Sequence, residues 1–121
     1  MNKILLSLEL EGLPPTVNHL YRSTSSGRRY KTVAGKEYQQ LVSSAIMEQW
    51  DGRETYTGAV GLRVVFETAT RRRWDIDNRI KALQDCLSMA GVIADDRQID
   101  ELYVRRIYGS KDRTEVELRE L

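Results

Sequence analysis

The first residues of the chain alternate between apolar and polar, which is the period of a strand that buries one face. The apolar positions of this strand are Ile4, Leu6, Leu8 and Leu10. Gly12 and the Pro14-Pro15 pair end it, and the residues that follow, to about Thr32, are polar and irregular. They predict a long loop, and a loop of this length in a compact domain is usually functional or mobile.

Two later segments place apolar residues at helical spacing. The first predicted helix covers residues 33–50, with Thr32 as its N-cap and Asp51-Gly52 at its end. Its expected buried stripe is Tyr38, Leu41, Val42, Ala45 and Gln49. The second helix is predicted to end at Gly91 in a left-handed conformation. Its apolar stripe is Ile76, Ile80, Leu83, Leu87 and Ala90.

The remaining regular segments are predicted strands. Residues 60–66 alternate in the same way as the first strand and lead directly towards the second helix. Residues 99–108 and 114–118 are predicted to form a hairpin around a turn at residues 109–112. The element order β-α-β-α-β-β predicts a single α+β domain over residues 1–121, with two helices packed on one mixed sheet.

Composition narrows the class of protein. A chain of 121 residues suits one domain, and a net charge of +1 excludes a uniformly basic DNA-coating surface. Cys86 is the only cysteine, so no internal disulfide can form and a cytoplasmic location is the default expectation. The apolar start is interrupted by Ser7 and Glu9 and is interpreted as a strand, not a signal peptide. No apolar run approaches the roughly 20 residues that cross a bilayer, so no membrane contact is expected.

The densest positive charge of the chain lies directly beside carboxylates. Residues 71–73 are all arginine and precede Asp75 and Asp77, and the pair Asp95-Asp96 follows the second helix. Arginines attract and orient a polyanion, whereas clustered aspartates repel it unless a divalent cation lies between them. The pattern is therefore typical of a metal-dependent enzyme that acts on phosphates.

Two interpretations of these acids remain open from the residues alone. Asp75 in extended chain and Asp77 at the helix start can converge, Lys81 shares a helix face with Asp77, and such carboxylates suit Mg²⁺ or Mn²⁺. Alternatively, Asp77 stabilises the helix N-terminus and pairs with Lys81, while Asp95-Asp96 simply forms a turn. The spacing fits both interpretations.

Several other candidates also have ordinary structural explanations. His19 is the only histidine and could contact DNA, although a single histidine in a loop is more often a polar contact. Cys86 lies beside the apolar stripe and is interpreted as a small core residue. Tyr21, Tyr30 and Trp74 could stack on exposed bases, but aromatic residues near loops more often anchor the core.

Three segments together carry a family pattern. The run from Arg71 to Lys81 leads from a basic cluster into Asp-x-Asp-Asn-x-x-Lys, the run from Ala90 to Ile99 contains Asp-Asp-x-Gln, and Pro14 to Arg22 precedes both. This combination resembles the RusA family of Holliday junction resolvases. Trp74 stands where relatives carry a further arginine, and Val17 replaces a polar residue.

The resemblance implies a homodimer that binds four-way DNA junctions and nicks two symmetry-related strands with Mg²⁺ or Mn²⁺. It implies that Asp75, Asp77 and Asp96 are metal ligands, with Asp95 as a supporting carboxylate and Lys81 as a functional lysine. The DNA contacts that it implies are Thr16, Val17, Asn18, His19, Arg71, Arg72, Arg73 and Asn78. Prophage recombination and DNA repair are the processes expected from it.

Two other functions fit the same residues. A junction-binding protein that no longer cuts would keep the basic face and use the acids structurally. A metal-dependent phosphodiesterase on other nucleic acids or on nucleotides would need the same carboxylates and arginines. Metal-dependent nicking separates the first alternative from a resolvase, and a panel of substrates separates the second.

Overall fold

The protein, seen as a computed structural model, is described over residues 3–16, 21–23 and 25–121. Its elements are β1 (Ile4–Glu11), β2 (Tyr21–Ser23), β3 (Arg29–Lys31), α1 (Val33–Trp50), β4 (Val60–Thr68), α2 (Asp77–Met89), a 3₁₀ turn (Asp96–Gln98), β5 (Ile99–Tyr108) and β6 (Arg113–Glu120). The predicted α+β class, with two helices on a mixed sheet, is confirmed. None of the described helices is long and apolar enough to cross a bilayer.

The main sheet has the strand order β1-β6-β4-β5. β6 pairs antiparallel with both β1 and β4, whereas β4 and β5 run parallel. β4 is therefore an interior strand, and β5 is one edge of the sheet. In β4 the alternate residues Val60, Leu62, Val64, Phe66 and Thr68 are buried. The predicted interior strand is confirmed.

The predicted hairpin between the last two strands is wrong. β4 lies between them, so Val64 pairs with Val104 on one side and with Val116 on the other. β4 is the most apolar strand, and a central position gives it a hydrogen-bonded partner on each side. The turn residues 109–112 do not show whether another strand lies between the two strands that they connect. The connection at 109–112 instead crosses the end of β4, where the Gly109 N–H donates to the Thr68 carbonyl at 3.0 Å.

One face of the sheet packs against both helices and forms the core. Val42 and Ile46 of α1 and Leu83 and Leu87 of α2 are buried against it. Leu41, which was expected in the buried stripe of α1, is exposed, because the buried face of this helix passes through Tyr38, Val42, Ile46 and Trp50. The opposite face of the sheet carries charged residues such as Arg63.

Two further expectations are corrected at the start of the chain. Ile4 is half exposed and Leu5 is buried, because a shift of strand register between Ile4 and Leu6 breaks the predicted alternation. Part of the predicted loop is a small antiparallel hairpin, β2 with β3. Gly27, with φ of 84°, lies in its turn and supplies the backbone conformation that other residues rarely adopt.

The predicted helix boundaries are confirmed by their caps. The Thr32 hydroxyl accepts a hydrogen bond from the Gly35 N–H at 3.1 Å, which satisfies one of the free donors at the start of α1. Gly91, with φ of 80°, follows the end of α2 in the left-handed conformation. Cys86 is buried in the core as expected.

Candidate active site

The segment between β4 and α2 carries the first acidic pair. The Asp112 carboxylate accepts a hydrogen bond from the Ala69 N–H at 2.9 Å, which fixes the start of this segment beside the connection to β6. Asp75 lies just before α2, and Asp77 is its first helical residue. The predicted division, with the first aspartate outside the helix and the second opening it, is confirmed.

Trp74 fixes the backbone directly before Asp75. Its ring packs edge-on against Phe66, with centroids 5.6 Å apart and planes at 67°. The Arg79 guanidinium lies 4.7 Å from the Trp74 ring centroid and that of Arg106 lies 5.1 Å from it. Arg106 also donates a hydrogen bond to the Trp74 carbonyl. Trp74 therefore anchors the loop on the core, the more ordinary of its two expected roles.

The carboxylates of Asp75 and Asp77 are exposed and have no partner in the described part of the chain. Within residues 3–16, 21–23 and 25–121, neither makes a side-chain hydrogen bond or ion pair, although three arginines lie close by in sequence. The nearby Arg79 and Arg106 direct their charges at rings and backbone carbonyls instead. The two carboxylates therefore remain available to a ligand.

Both aspartates border a cleft at the edge of the sheet. The cleft has a volume of about 560 Å³, and its other side is formed by Arg105, Arg106 and Tyr108 of β5. Arg71 lies across the Tyr108 ring, 4.7 Å from its centroid. The acids predicted to hold a metal and a set of cations thus share one opening, and this arrangement can accept a phosphate.

Lys81 lies one helical turn beyond Asp77 and joins the second acidic pair to α2. Its ammonium is 3.0 Å from the Asp85 carboxylate and 3.3 Å from that of Asp96. The hydrogen bond to Asp85 is the main cause that raises the pKa of Lys81, and Asp96 adds to it. Lys81 is therefore a fixed cation at neutral pH.

Asp95 and Gln98 form a capping box around the 3₁₀ turn. The Asp95 carboxylate accepts from the Arg97 N–H at 2.8 Å, and this bond is the first cause that lowers the pKa of Asp95. The Gln98 amide oxygen accepts from the Ala94 and Asp95 N–H groups at 2.7 and 3.1 Å.

The amide nitrogen of Gln98 ties the same turn to a distant segment. It donates to the carbonyls of Tyr56 and Gly58 at 2.8 and 2.9 Å. Gln98 thus uses both ends of its amide to lock residues 94–98, and with them Asp96, against the chain that precedes β4. The Asp-Asp-x-Gln motif has a structural explanation in this set of bonds.

The predicted metal ligands differ in where they lie. Asp75 and Asp77 share the cleft, whereas Asp96 lies in the 3₁₀ turn and is held by Lys81, one helical turn beyond Asp77. In the described part of the chain, no three acidic, histidine or cysteine side chains gather around one point. The chemistry of the donor set nevertheless fits Mg²⁺ or Mn²⁺, since exposed carboxylate oxygens are the ligands that these ions prefer.

The described DNA contacts predicted from sequence lie at Thr16, on the segment before α2 and on α2 itself. Arg71, Arg72 and Arg73 are exposed, and Thr16 and Asn78 are half-buried. Val17, Asn18 and His19 fall outside the described residues. The Arg79 guanidinium donates to the Pro14 carbonyl at 2.7 Å, and burial lowers its pKa. This bond joins Pro14, two residues before the predicted contact Thr16, to α2, which carries the predicted contact Asn78.

Sequence reasoning missed several residues of the site. Asp85 could have been found from its position four residues after Lys81, the spacing of helical ion pairs. Tyr108 carries no local signal. Arg105-Arg106 is recognisable in the sequence as a basic pair that folding could gather on one face with residues 71–73, but only the parallel pairing of β5 with β4 brings it beside the first acidic pair.

Comparison with known proteins identifies the family. The sequence model of the family described as Endodeoxyribonuclease RusA matches residues 11–119. A crossover junction endodeoxyribonuclease RusA of Aquifex aeolicus (strain VF5) is 26% identical over 115 residues, which cover 94% of this chain and 90% of the relative. A protein of the same name from Enterobacteria phage HK97 is 31% identical over 94 residues, 77% of this chain and 76% of the relative.

The matched residues 11–119 include both acidic pairs, Lys81 and the β5 side of the cleft. The resemblance drawn from the three sequence segments is confirmed, and this chain belongs to the RusA family of endodeoxyribonucleases.

Proposed function

We propose that this protein is a Mg²⁺-dependent endodeoxyribonuclease that resolves four-way DNA junctions by paired, symmetric nicks. Family membership supports the general activity, since both relatives are named crossover junction endodeoxyribonucleases. The observation that carries the proposal for this chain is the cleft in which the free carboxylates of Asp75 and Asp77 face Arg105, Arg106 and Tyr108. Such a site accepts a cation and a phosphate side by side.

Asp75, Asp77 and Asp96 would hold the metal, with Mn²⁺ as an acceptable replacement for Mg²⁺. The bound ion would polarise the scissile phosphate and supply an activated water for in-line attack. The exposed carboxylates of Asp75 and Asp77 bring two negative charges to this point, and an approaching DNA strand is repelled until they are neutralised. Metal dependence follows from this charge balance.

Lys81 contributes a positive charge that its neighbours keep in place. Asp85 and Asp96 hold the ammonium from two sides, and its raised pKa keeps it protonated. Held in this way, Lys81 would stabilise the negative charge that develops on the phosphate or orient the attacking water. Lys81 also holds Asp96, and it lies on α2 one turn beyond Asp77.

Arg71, Arg72 and Arg73 would position the strand that is cut. All three are exposed on the segment that leads to Asp75, and contacts to phosphates come mostly from such side chains. Arg71 is partly fixed by its contact with the Tyr108 ring. Binding should therefore weaken steeply as salt concentration rises, because bound counterions are released.

Paired nicks require two equivalent active sites. A homodimer with two-fold symmetry provides them from a single type of chain and matches the symmetry of a four-way junction. Equilibrium sedimentation of the active protein at micromolar concentration should show a dimer, and a monomer with full activity would contradict this part of the proposal. We place the reaction in DNA recombination and repair in the cytoplasm, an environment that suits a chain whose one cysteine, Cys86, can form no internal disulfide.

The decisive experiment compares an end-labelled four-way junction with a linear duplex of the same sequence. Wild type should produce ligatable nicks on opposite strands of the junction with Mg²⁺ and none with EDTA. Asp77→Asn should abolish cutting, whereas Asp100→Asn, a change at another exposed aspartate, should not affect it. Tight junction binding without any metal-dependent nicking would indicate a binding protein, and equal attack on the duplex would indicate a less selective nuclease.

A further inference from the structure

The cations of β5 are not explained by the predicted metal site or by the predicted DNA-binding segments. Arg105 and Arg106 lie in the edge strand of the sheet, opposite Val65 and Phe66 of β4. Successive side chains of a strand point to opposite faces, so Arg106 shares the helix-covered face with Phe66 and Arg105 lies on the open face. Both nevertheless border the cleft that contains Asp75 and Asp77.

Arg106 is fixed at the cleft without a carboxylate partner. It donates to the Trp74 carbonyl and lies 5.1 Å from the Trp74 ring centroid and 5.8 Å from that of Tyr108. All three partners are neutral, and the described part of the chain provides no ion pair to this guanidinium. A fixed and uncompensated cation is well suited to bind an anion that enters the cleft.

Tyr108 adds an exposed aromatic surface beside this cation. Its side chain is 41% exposed, and the guanidinium groups of Arg71 and Arg106 lie 4.7 Å and 5.8 Å from its ring centroid. Aromatic rings flanked by arginines are the usual platform for unstacked nucleobases, while the arginines bind the adjoining phosphates. The ring and Arg106 together can therefore recognise one nucleotide.

The cleft has the size expected for such a ligand. Its volume of about 560 Å³ falls within the range of about 300–1,000 Å³ that is typical of small-molecule sites. A nucleotide stacked within an intact duplex cannot enter it, because both faces of its base are covered. A nucleotide at a branch point, where stacking is interrupted, costs less to extrude.

We propose that this cleft binds one unpaired nucleotide at the branch point of the DNA, with its phosphate at Arg106 and its base stacked on Tyr108 in the place that Arg71 takes over the ring without DNA. The inference rests on the proposed junction-cleaving function. It adds a reason why the protein would cut a four-way junction in preference to a linear duplex. The scissile phosphate is brought to Asp75 and Asp77 only when the neighbouring nucleotide occupies this subsite. A linear duplex then binds to the arginines of residues 71–73 but is not cut efficiently.

The test places 2-aminopurine at the branch point of a four-way junction and measures its fluorescence and the binding affinity in EDTA. Stacking on Tyr108 should quench the fluorescence when wild type binds. Tyr108→Ala should leave the probe bright and lower junction affinity about tenfold, with no effect on linear duplex. Tyr108→Phe keeps the stacking surface and should behave as wild type.

Tyr103 provides a matched control on the same strand. It is 44% exposed and Arg63 lies 5.0 Å from its ring centroid, but it does not border the cleft. Tyr103→Ala should therefore keep both the quenching and the affinity. Equal effects of Tyr103→Ala and Tyr108→Ala, or equal losses on junction and duplex, would overturn the subsite.

The charge of Arg106 is tested separately through salt. Arg106→Gln should reduce the slope of log affinity against log salt by about one on the junction, and Arg63→Gln should not. Thermal melting reports whether Arg106→Gln is folded. If it is not, the Tyr108 variants alone test the nucleotide subsite. Since these measurements need no cleavage, their failure overturns the subsite alone, whereas normal binding without metal-dependent nicking overturns the proposed function alone.

Discussion

The two acidic pairs of this protein are held in opposite ways. Asp75 and Asp77 are exposed and have no side-chain partner in the described part of the chain. Asp95 caps a 3₁₀ turn, and Asp96 is bound to Lys81. The protein therefore fixes one pair in advance and leaves the other pair to its ligand. Changes at Asp75 and Asp77 should affect catalysis alone, whereas changes around Asp95 and Asp96 should affect folding as well.

The largest effect is expected at the free pair. Asp75→Asn and Asp77→Asn should each lower the rate of junction cleavage by about 10²-fold or more, the loss typical of one strong electrostatic group in an active site. Thermal melting should show little change, because no described bond is lost. Junction affinity in EDTA should stay equal or rise, since a negative charge beside the DNA is removed. A large drop in melting temperature would show that these carboxylates are structural.

Gln98→Ala should have the second largest effect, and the property that it changes most should be the stability of the folded state. It removes four hydrogen bonds, two of which join the turn to Tyr56 and Gly58. Loss of these bonds should lower the free energy of unfolding by about 2–3 kcal/mol, measured by urea denaturation. Cleavage should also fall, because Asp96 is no longer held in place.

The control for this change is Gln84→Ala, which shortens a half-buried glutamine of α2 that has no described side-chain bond. It should cost less than about 1 kcal/mol. Equal stability losses for the two variants would mean that Gln98 does not lock the turn. The contrast between held and free acids would then lose its structural basis.

Lys81→Met should have an intermediate effect, and mainly on activity. Removal of the ammonium takes away the cation that holds Asp96, so cleavage should fall about 10- to 100-fold, as for groups that orient metal ligands. Stability should change by less than about 1 kcal/mol, because the side chain of Lys81 is 47% exposed and solvent screens the pairs. Lys36→Met, at an exposed lysine of α1, should leave cleavage unchanged.

Lys81→Arg distinguishes charge from position. Arginine keeps the cation, but its planar head does not reproduce the contacts of an ammonium. Partial recovery of cleavage would show that positive charge is the main contribution. Full activity in Lys81→Met would instead show that Asp96 needs no cation to hold it.

The free pair could be predicted from sequence and the held pair only in part. Asp75 and Asp77 follow a clear strand and open a clear helix, and both elements depend on local periodicity that sequence shows directly. The partners of Asp96 depend on how α2 returns to the sheet, and that is a tertiary property. Gln98 could be recognised as part of a motif, but its bonds to Tyr56 and Gly58 span about 40 residues of sequence.

The same division applies to the fold. The bounds of α1, α2 and β5 were predicted almost residue by residue, since caps and alternation are local. The sheet order was not, because the turn before β6 looks the same whether its two strands are neighbours or are separated by β4. For that reason the basic pair Arg105-Arg106 is visible in the sequence, but its position beside Asp75 and Asp77 is not.

The smallest effect is expected at Asp95, and it depends on pH. The Arg97 N–H lowers the pKa of this carboxyl below its ordinary value of 3.8, so ionised Asp95 stabilises the folded state. The contribution is fully present above pH 3.8, the ordinary value, and is lost as pH falls through the lower folded pKa. Asp95→Asn keeps an acceptor for the cap but removes the charge.

Wild type should therefore be slightly more stable than Asp95→Asn at about pH 6, and the difference should vanish as the solution is acidified below the ordinary pKa of aspartate. Urea denaturation of both proteins over this range measures it. Asp75→Asn provides the contrast at about pH 6, because replacing a carboxylate that has no described partner should leave stability unchanged there. An equal loss of stability in both variants would mean that Asp75 too is held by the folded chain, and that the two pairs differ in position but not in kind.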